Sequence, residues 1–124
     1  MQFMMMVKHA ENCPPPPKAL SDALAKLNEE GVRTGVFKTG GGLEQTAKSV
    51  RVKLSRGEVK VIDGPFTEAK EIVGGFAILE FPSKEEAIKG AVAFMELHKQ
   101  HWPGWEGETE VRQIFGPTIV PSRP

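Results

Sequence analysis

Two short runs of consecutive apolar residues constrain the fold of this chain more than any other feature. One covers residues 3–7 and the other residues 76–79, and neither alternates apolar with polar side chains. Because successive side chains of a strand point to opposite faces, such runs predict strands whose sheet is covered on both faces. The fold must therefore place a layer against each side of the sheet.

Two amphipathic segments predict helices between the strands. Residues 18–30 follow a run of prolines, and Gly31 is placed to end this first helix. Its apolar stripe consists of Leu20, Leu24 and Leu27. The second helix begins at Ser83, which with Glu86 matches a Ser-x-x-Glu capping box, and it ends before Pro103. Its inward stripe is predicted at Ile88, Ala91, Val92 and Met95.

A β-hairpin is predicted for residues 50–63. With Arg56 and Gly57 as its two-residue turn, both arms present their apolar side chains on one face. The facing pairs are Leu54 with Val59 and Val52 with Val61. The agreement between turn and register supports the hairpin.

The remaining segments complete the chain. Residues 32–38 are predicted to form a strand, and the glycine-rich residues 39–48 a mobile loop or a place where the backbone approaches a bound group. Residues 107–115 form the last strand. Residues 116–124 are predicted to be a terminal arm.

The order of these elements indicates a ferredoxin-like α+β domain. Two βαβ units are present, with the hairpin as an insertion, and right-handed crossovers place both helices on one face of the sheet. The other face would expose apolar side chains from residues 3–7 and 76–79, which a monomer rarely does. We therefore predict a homodimer whose sheets pack face to face. We also predict a single domain over residues 1–124, with its folded core at 1–115.

Composition excludes several classes of partner. The chain has 16 basic and 16 acidic residues, so it has no net attraction to nucleic acid or to an anionic membrane. Cys13 is the only cysteine, which excludes an internal disulfide and is typical of a reducing compartment. The first apolar run is too short for the core of a signal peptide. We expect a cytoplasmic protein.

The segment DGPFTEAKE, residues 63–71, carries the most specific local pattern. Asp63 ends a strand, Gly64 is pushed to an extended conformation by Pro65, and Pro65 suits the first turn of a short helix. Asp63 is placed to cap the free N–H groups of that turn, and Phe66 to anchor it in the core.

This segment, with the following Gly75-Phe76, resembles the signature of the DGPF proteins of the YCII-related family. The likeness extends over nearly the whole chain, through the MMMVK run and residues 26–30, 40–43, 61–62, 83–87 and 110–113. The resemblance implies a dimeric α+β barrel, which agrees with the two-sided apolar strands. It also implies a small enzyme or ligand-binding domain, encoded in many bacteria beside sigma factors of the extracytoplasmic-function class.

The resemblance also implies a candidate active residue. The wider YCII-related group is thought to use a histidine and an aspartate as a dyad, and Asp63 has the matching motif position for the aspartate. Pairing it with His9, at the end of the first strand, is our own hypothesis. Relatives often have Gly-Glu-Gly-Leu where this chain has glycine at position 41, so one candidate acid is missing.

Each candidate site residue has a structural alternative. Asp63 is either a proton-transfer group or a helix cap. Lys70 either holds an anionic part of the substrate or belongs to a solvated charged turn with Glu68. Arg112 either contacts such an anion or forms a buried salt bridge with Asp63 or Glu68. Phe66 would wall the pocket, with Trp102 and Trp105 excluding water.

No metal or cofactor site is expected. His98 and His101 are three residues apart on the second helix, but no carboxylate or cysteine accompanies them. Histidines near the C-terminus of a helix are also favoured by the helix dipole. The chain contains no phosphate-loop, dinucleotide, GxSxG or HExxH motif.

Two functions follow from the sequence. The first is a cofactor-independent enzyme that performs acid/base chemistry on a small organic molecule, with Asp63 transferring the proton and Lys70 or Arg112 binding an anionic group. The second is a non-catalytic module that senses a ligand or binds a protein, linked to sigma-factor-dependent transcription. An enzyme should hold its carboxylate in a concave pocket, whereas a module should offer an exposed apolar groove.

Overall fold

A computed structural model describes residues 1–116, so residues 117–124 of the predicted terminal arm lie outside the described residues. The strands are β1 (Gln2–His9), β2 (Phe37–Gly42), β3 (Val50–Ser55), β4 (Glu58–Asp63), β5 (Ile72–Glu80) and β6 (Glu108–Gln113). The helices are α1 (Lys18–Thr34), a short 3-10 helix (Thr46–Lys48) and α2 (Lys84–His101). No helix among residues 1–116 is both long and apolar enough to span a membrane.

Four strands form the main sheet in the order β2-β5-β1-β6, and all neighbours are antiparallel. This order is the ferredoxin-like arrangement, which confirms the predicted α+β class. The core lies between α2 and one face of the sheet, where Phe3 and Met5 pack against Ala87 and Ala91. Burying a phenylalanine such as Phe3 stabilises the fold by about 3 kcal/mol.

The opposite face of the sheet carries a second set of apolar side chains. Met4 and Met6 alternate with Phe3 and Met5 along β1, and their cross-strand partners on β5 are Ile78 and Phe76. All four side chains are half-buried. We call Met4, Met6, Phe76 and Ile78 the open sheet face.

The predicted hairpin forms with the predicted register. Leu54 pairs with Val59 and Val52 with Val61, while Arg56 and Gly57 both take positive φ values, of 53° and 77°. Positive φ at both turn positions gives the twist that a two-residue hairpin turn requires. The two strands form a separate sheet that pairs with no other described strand.

The hairpin leaves its apolar face uncovered. Five side chains on this face are 58–71% exposed: Val50, Val52, Leu54, Val59 and Val61. The opposite face carries charged side chains such as Lys53 and Lys60, which pair across the strands. We call the five-residue set the hairpin apolar face.

The glycine-rich segment was wrongly predicted as a loop. Residues 40–42 belong to β2 and pair with β5, Gly40 lying opposite Ala77. A Cβ atom at Gly40 would lie 2.6 Å from the carbonyl oxygen of Phe76, so only glycine allows the strands to approach this closely. The predicted strand over residues 32–38 was therefore placed too early.

Helix α1 passes the predicted stop at Gly31 and ends at Thr34, with Gly35 as a left-handed C-cap at φ 82°. Gly31 lies inside the helix, and a Cβ atom there would lie 2.9 Å from the Cβ of Phe37. Close packing against β2, and not helix termination, accounts for this glycine. Val32 is consequently helical.

Helix α2 begins as predicted, because the backbone N–H of Glu86 donates to the Ser83 hydroxyl at 3.2 Å. Its inward face, however, was wrongly predicted at two positions: Ile88 and Val92 are 46% and 53% exposed. The buried residues are Ala87, Ala91 and His98. The small alanines let the helix lie close to Phe3, which fills the space between helix and sheet.

Candidate functional site

A cavity of about 410 Å³ lies under the turn that follows β4, between that turn, the start of β5 and the residues around the 3-10 helix. Its polar lining residues are Glu44, Thr46, Ser49, Arg51 and Glu71. Its apolar lining residues are Leu43, Phe66, Ala69, Ile72 and Val73. Half of the lining residues are apolar, and an apolar wall that carries polar groups suits a small-molecule site. We call this space the Phe66 cavity.

A buried hydrogen-bond network holds the Phe66 turn in place. The Thr46 hydroxyl accepts from the backbone N–H of Phe66 at 3.2 Å and donates to Oε1 of Glu11 at 2.7 Å. The same carboxylate oxygen accepts from the backbone N–H of Thr46 at 3.0 Å. Glu11 follows β1, Thr46 lies in the 3-10 helix and Phe66 in the turn, so three distant segments meet here.

One carboxylate oxygen of Glu11 lacks a hydrogen bond. Its Oε2 is buried and has no hydrogen-bond partner among residues 1–116. A buried carboxylate with a fully unpaired oxygen is costly, so the two bonds from Thr46 must compensate for it. Glu11 is a positioning residue, because it acts on the cavity through Thr46 and Phe66.

Arg51 links the cavity to its charged rim. Its guanidinium lies 3.8 Å from the centroid of the Phe66 ring, in cation–π geometry, and it is hydrogen-bonded to Glu68. The hydrogen bond from Arg51 lowers the pKa of the Glu68 carboxyl below its ordinary value. Both partners are exposed, and exposed ion pairs contribute only about 0–1 kcal/mol. Another carboxylate can therefore replace Glu68 on Arg51 at little cost.

Among the predicted site residues, Phe66 lines the cavity and Asp63 does not. Asp63 is exposed at the end of β4, opposite Val50. The short helix that it was predicted to cap does not form; the chain makes a turn closed by the bond from the Ala69 N–H to the Phe66 carbonyl at 3.2 Å. The Phe66 N–H is satisfied by Thr46, which takes the role we expected for Asp63.

Lys70 precedes a lining residue and His9 pairs with one across the sheet, but neither lines the cavity. Lys70 is exposed, one residue before the lining residue Glu71. His9 is the β1 partner of Ile72, and its Nδ1 lies 2.8 Å from the carbonyl oxygen of Ala10. A Cβ atom at Gly74 would lie 1.9 Å from Nε2 of His9, so the imidazole packs directly on the glycine backbone.

Arg112 lies on the side of the sheet that carries the open sheet face, where it pairs with Met4 across β1. Its side chain is 73% exposed and contacts Oε2 of Glu110 at 3.0 Å, so the expected buried salt bridge with Asp63 or Glu68 was wrong. Glu110 also accepts from the ammonium group of Lys8 at 2.5 Å. This bond lowers the pKa of Glu110 and raises that of Lys8.

No group of three or more histidine, cysteine, aspartate or glutamate side chains within residues 1–116 could hold a metal ion. His98 is buried, and its Nδ1 lies 2.9 Å from the carbonyl oxygen of Phe94. That bond ties the imidazole to its own helix.

Sequence reasoning missed Glu11, Thr46, Arg51 and the lining role of Glu71. Glu11 precedes the proline run and Thr46 lies in the segment predicted as a loop, so neither has a local pattern that marks it. Arg51 was assigned only to the hairpin. One signal was available: Glu71 ends the DGPFTEAKE string and is the one carboxylate of that string that lines the cavity.

Comparison with known proteins gives one match. The family model described as YCII-related domain matches residues 1–96, which include β1 to β5 and most of α2. The matched region contains every residue that lines the Phe66 cavity. No curated protein matches the chain.

Proposed function

The chain belongs to the YCII-related family, and from that premise we propose that it is a small cofactor-independent enzyme that transfers a proton within a small organic anion bound in the Phe66 cavity. The observation that carries this proposal is the cavity lining. Arg51 offers a cation, Glu71 a carboxylate and Phe66 an apolar wall within one space of about 410 Å³.

Arg51 supplies the recognition of the anion. Its present partner Glu68 is held by an exposed ion pair, which a substrate carboxylate can replace. Because the guanidinium also lies over the Phe66 ring, its position is supported without Glu68. A planar, two-pronged donor of this kind suits a carboxylate group.

Glu71 supplies the proton transfer. Its carboxylate takes a proton from one substrate atom as that bond to hydrogen breaks, and returns it to a neighbouring atom. The apolar residues Phe66 and Leu43 form the wall beside these groups. The hydrogen bonds of Glu11 and Thr46 hold the Phe66 turn in its position at the cavity.

The family resemblance implies Asp63 as the proton-transfer group instead, and our own sequence hypothesis adds His9, Lys70 and Arg112 as binding groups. Glu71 lines the Phe66 cavity and Asp63 does not, so the cavity lining supports Glu71. The two carboxylates belong to the same nine-residue segment, and each can be tested by one amide substitution. The experiment below separates them.

A homodimer is part of the proposal. Within residues 1–116, no element covers the open sheet face or the hairpin apolar face as α2 covers Phe3 and Met5. Large exposed apolar surfaces on soluble chains usually mark an interface. A second copy that packs its sheet on the open sheet face would cover Met4 and Phe76, and its hairpin would bury side chains such as Leu54.

A second candidate function is a non-catalytic module that binds a ligand or a protein. The hairpin apolar face favours it, because five exposed apolar side chains on a separate two-stranded sheet also suit a protein partner. The resemblance to proteins encoded beside sigma factors indicates a partner in transcription. In this case the Phe66 cavity binds a ligand without changing it.

The test begins with thermal-shift measurements on a set of small carboxylic acids. Binding through Arg51 should weaken in Arg51→Met and persist in Lys53→Met, a control on the same strand and the same face of the hairpin. Each bound acid is then incubated in deuterated water, and NMR measures the incorporation of deuterium into it. Glu71 is exposed, so the proton on its carboxylate exchanges with the solvent, and proton transfer by this group introduces deuterium into the acid.

The outcomes separate the alternatives. We expect Glu71→Gln to bind the acid but to lose exchange, and Asp63→Asn to retain it. Exchange that is undiminished in Glu71→Gln and lost in Asp63→Asn would transfer the catalytic role to Asp63. Binding without exchange in the unmodified protein would support the non-catalytic module.

A further inference from the structure

A second cavity, of about 340 Å³, lies at the C-terminal end of α2 and shares no lining residue with the Phe66 cavity. Its lining side chains are Met95, His98, Lys99, Trp102, Trp105 and Glu106. All of these residues except Met95 lie outside the matched residues 1–96, and the proposed enzyme does not use this cavity. We call it the tryptophan cavity.

His98 lines this cavity and has one ring nitrogen without a hydrogen-bond partner among residues 1–116. The residue is only 6% exposed, and its Nδ1 lies 2.9 Å from the Phe94 carbonyl oxygen. A carbonyl oxygen only accepts, so Nδ1 carries the hydrogen and Nε2 of the neutral ring is an acceptor. Nε2 has no hydrogen-bond partner among residues 1–116.

The indole N–H of Trp105 is a donor that also lacks a hydrogen-bond partner among residues 1–116. Its Nε1 is buried and makes no hydrogen bond within residues 1–116. An indole N–H can only donate, so a group that accepts from it recovers a hydrogen bond that the protein alone does not make. The imidazole of His98 lies 4.7 Å from the Trp105 ring, centroid to centroid, which brings an unpaired acceptor and an unpaired donor together.

The remaining walls favour a flat and neutral ligand. The Trp102 and Trp105 rings are stacked with centroids 5.6 Å apart and planes inclined by 21°, and Met95 adds a further apolar surface. Flat rings pack well against such surfaces. Lys99 and Glu106 carry opposite charges at the same cavity, so it has no net preference for an ion.

We propose that the tryptophan cavity binds a flat heteroaromatic ring with a lactam edge, in which a ring N–H lies beside a carbonyl group. The ring N–H donates to Nε2 of His98, and the carbonyl oxygen accepts from Nε1–H of Trp105. The face of the ring packs against Trp102. Because Nε1 of Trp105 is buried, this contact requires the Trp105 side chain to turn toward the ligand on binding. This site is independent of the chemistry in the Phe66 cavity.

The test uses uracil, which has lactam edges, and dimethyluracil, in which both ring N–H groups are methylated. The chain contains two tryptophans, both at this cavity, so the two indole N–H signals of isotope-labelled full-length protein report on it directly. We expect uracil to shift the Trp105 signal and to bind about tenfold more tightly than dimethyluracil, the effect of one lost hydrogen bond.

Variants assign the contacts. Trp105→Phe keeps an aromatic ring but removes the donor, and should weaken uracil binding about tenfold as followed on the Trp102 signal. Val92→Ala is the control, since Val92 is exposed on the same helix and does not line the cavity; it should bind uracil like the unmodified protein. If Trp105→Phe does not fold, the comparison of the two uracils still decides.

Two results would overturn the proposal. If neither compound shifts the indole signals, Trp102 and Trp105 do not bind a ligand and only close the edge of the core. If both compounds bind equally, the lactam edge is not recognised. Because none of these measurements involves the Phe66 cavity, their failure would leave the proposed enzyme untouched.

Discussion

Replacement of Thr46 by valine gives the sharpest test of how the Phe66 turn is held. Valine has nearly the same shape as threonine but no hydroxyl, so Thr46→Val leaves the Phe66 N–H without its acceptor and removes the 2.7 Å bond to Glu11. The backbone bond from residue 46 to Glu11 is retained. Packing is therefore largely unchanged while two buried hydrogen bonds are lost.

The expected loss of stability follows from these two bonds. A buried N–H left unpaired costs about 1–3 kcal/mol, and a hydrogen bond to a charged group contributes about 1.5–3 kcal/mol. Since the two losses share one hydroxyl, we expect about 3 kcal/mol in the free energy of unfolding. For a chain of this size that corresponds to a fall in Tm of roughly 10 °C.

The matched control is Thr46→Ser, which keeps the hydroxyl and removes only a methyl group. Its expected cost is about 0.8 kcal/mol of buried apolar contact. Urea denaturation followed by circular dichroism measures both variants, and equal slopes show that the unfolded states are comparable. If Thr46→Val is no less stable than Thr46→Ser, the hydroxyl does not hold the turn and our account of Glu11 is wrong.

Three further predictions concern the sheet, its charges and the hairpin. Gly40→Ala should destabilise the protein by about 2 kcal/mol in thermal denaturation, because its Cβ would lie 2.6 Å from a carbonyl oxygen of β5, whereas Gly41→Ala, with no atom within 4 Å, should not; equal effects would contradict the close approach. The pKa of Glu110 is lowered by the hydrogen bond from Lys8, so this carboxylate stabilises the fold above its ordinary value of 4.5 and loses that effect as the pH falls through the lowered value. The difference in the free energy of unfolding between the unmodified protein and Glu110→Gln should therefore shrink as the pH falls below the pKa of Glu110. A difference that stays constant with pH would refute this stabilising role of Glu110. Leu54→Lys should convert the proposed homodimer to monomer in light scattering without unfolding it, since Leu54 is exposed in the single chain; a dimer that persists would exclude the hairpin apolar face from the interface.

Local patterns in the sequence were sufficient for most of the elements. The capping box at Ser83, the turn at Arg56 and the uninterrupted apolar run of β1 each depend on neighbours within a few residues. Such features are determined by propensity, capping and turn conformation, which act over short distances. They led to the ferredoxin-like order and, through the DGPF segment, to the family.

Patterns that depend on packing were predicted less well. The predicted stripe of α2 included Ala91, which is buried as expected. It also included Ile88 and Val92, which are exposed, and it left out the buried Ala87. The first phenylalanine of β1 already fills the space between helix and sheet. The buried face of α2 is determined by the volumes of the side chains that meet between helix and sheet. Hydrophobic periodicity does not describe these volumes.

The candidate site shows the same division. Asp63 was prominent because it begins a recognisable segment, and Phe66 was correctly placed against the core. Glu11 and Thr46 carry no local signal, since they lie 35 residues apart and act on the turn only when the chain has folded. A site built from three distant segments is visible only in three dimensions.

The sequence by itself determined the class of fold, the hairpin register and the membership of the YCII-related family, because these depend on the order and periodicity of residues along the chain. Tertiary structure alone decided which glycines approach a neighbouring strand, which face of α2 is buried, and that Thr46 and not Asp63 satisfies the Phe66 N–H. The physical reason is that hydrogen bonding and close packing of buried groups depend on which atoms lie nearby in space, and residues far apart along the chain supply those atoms.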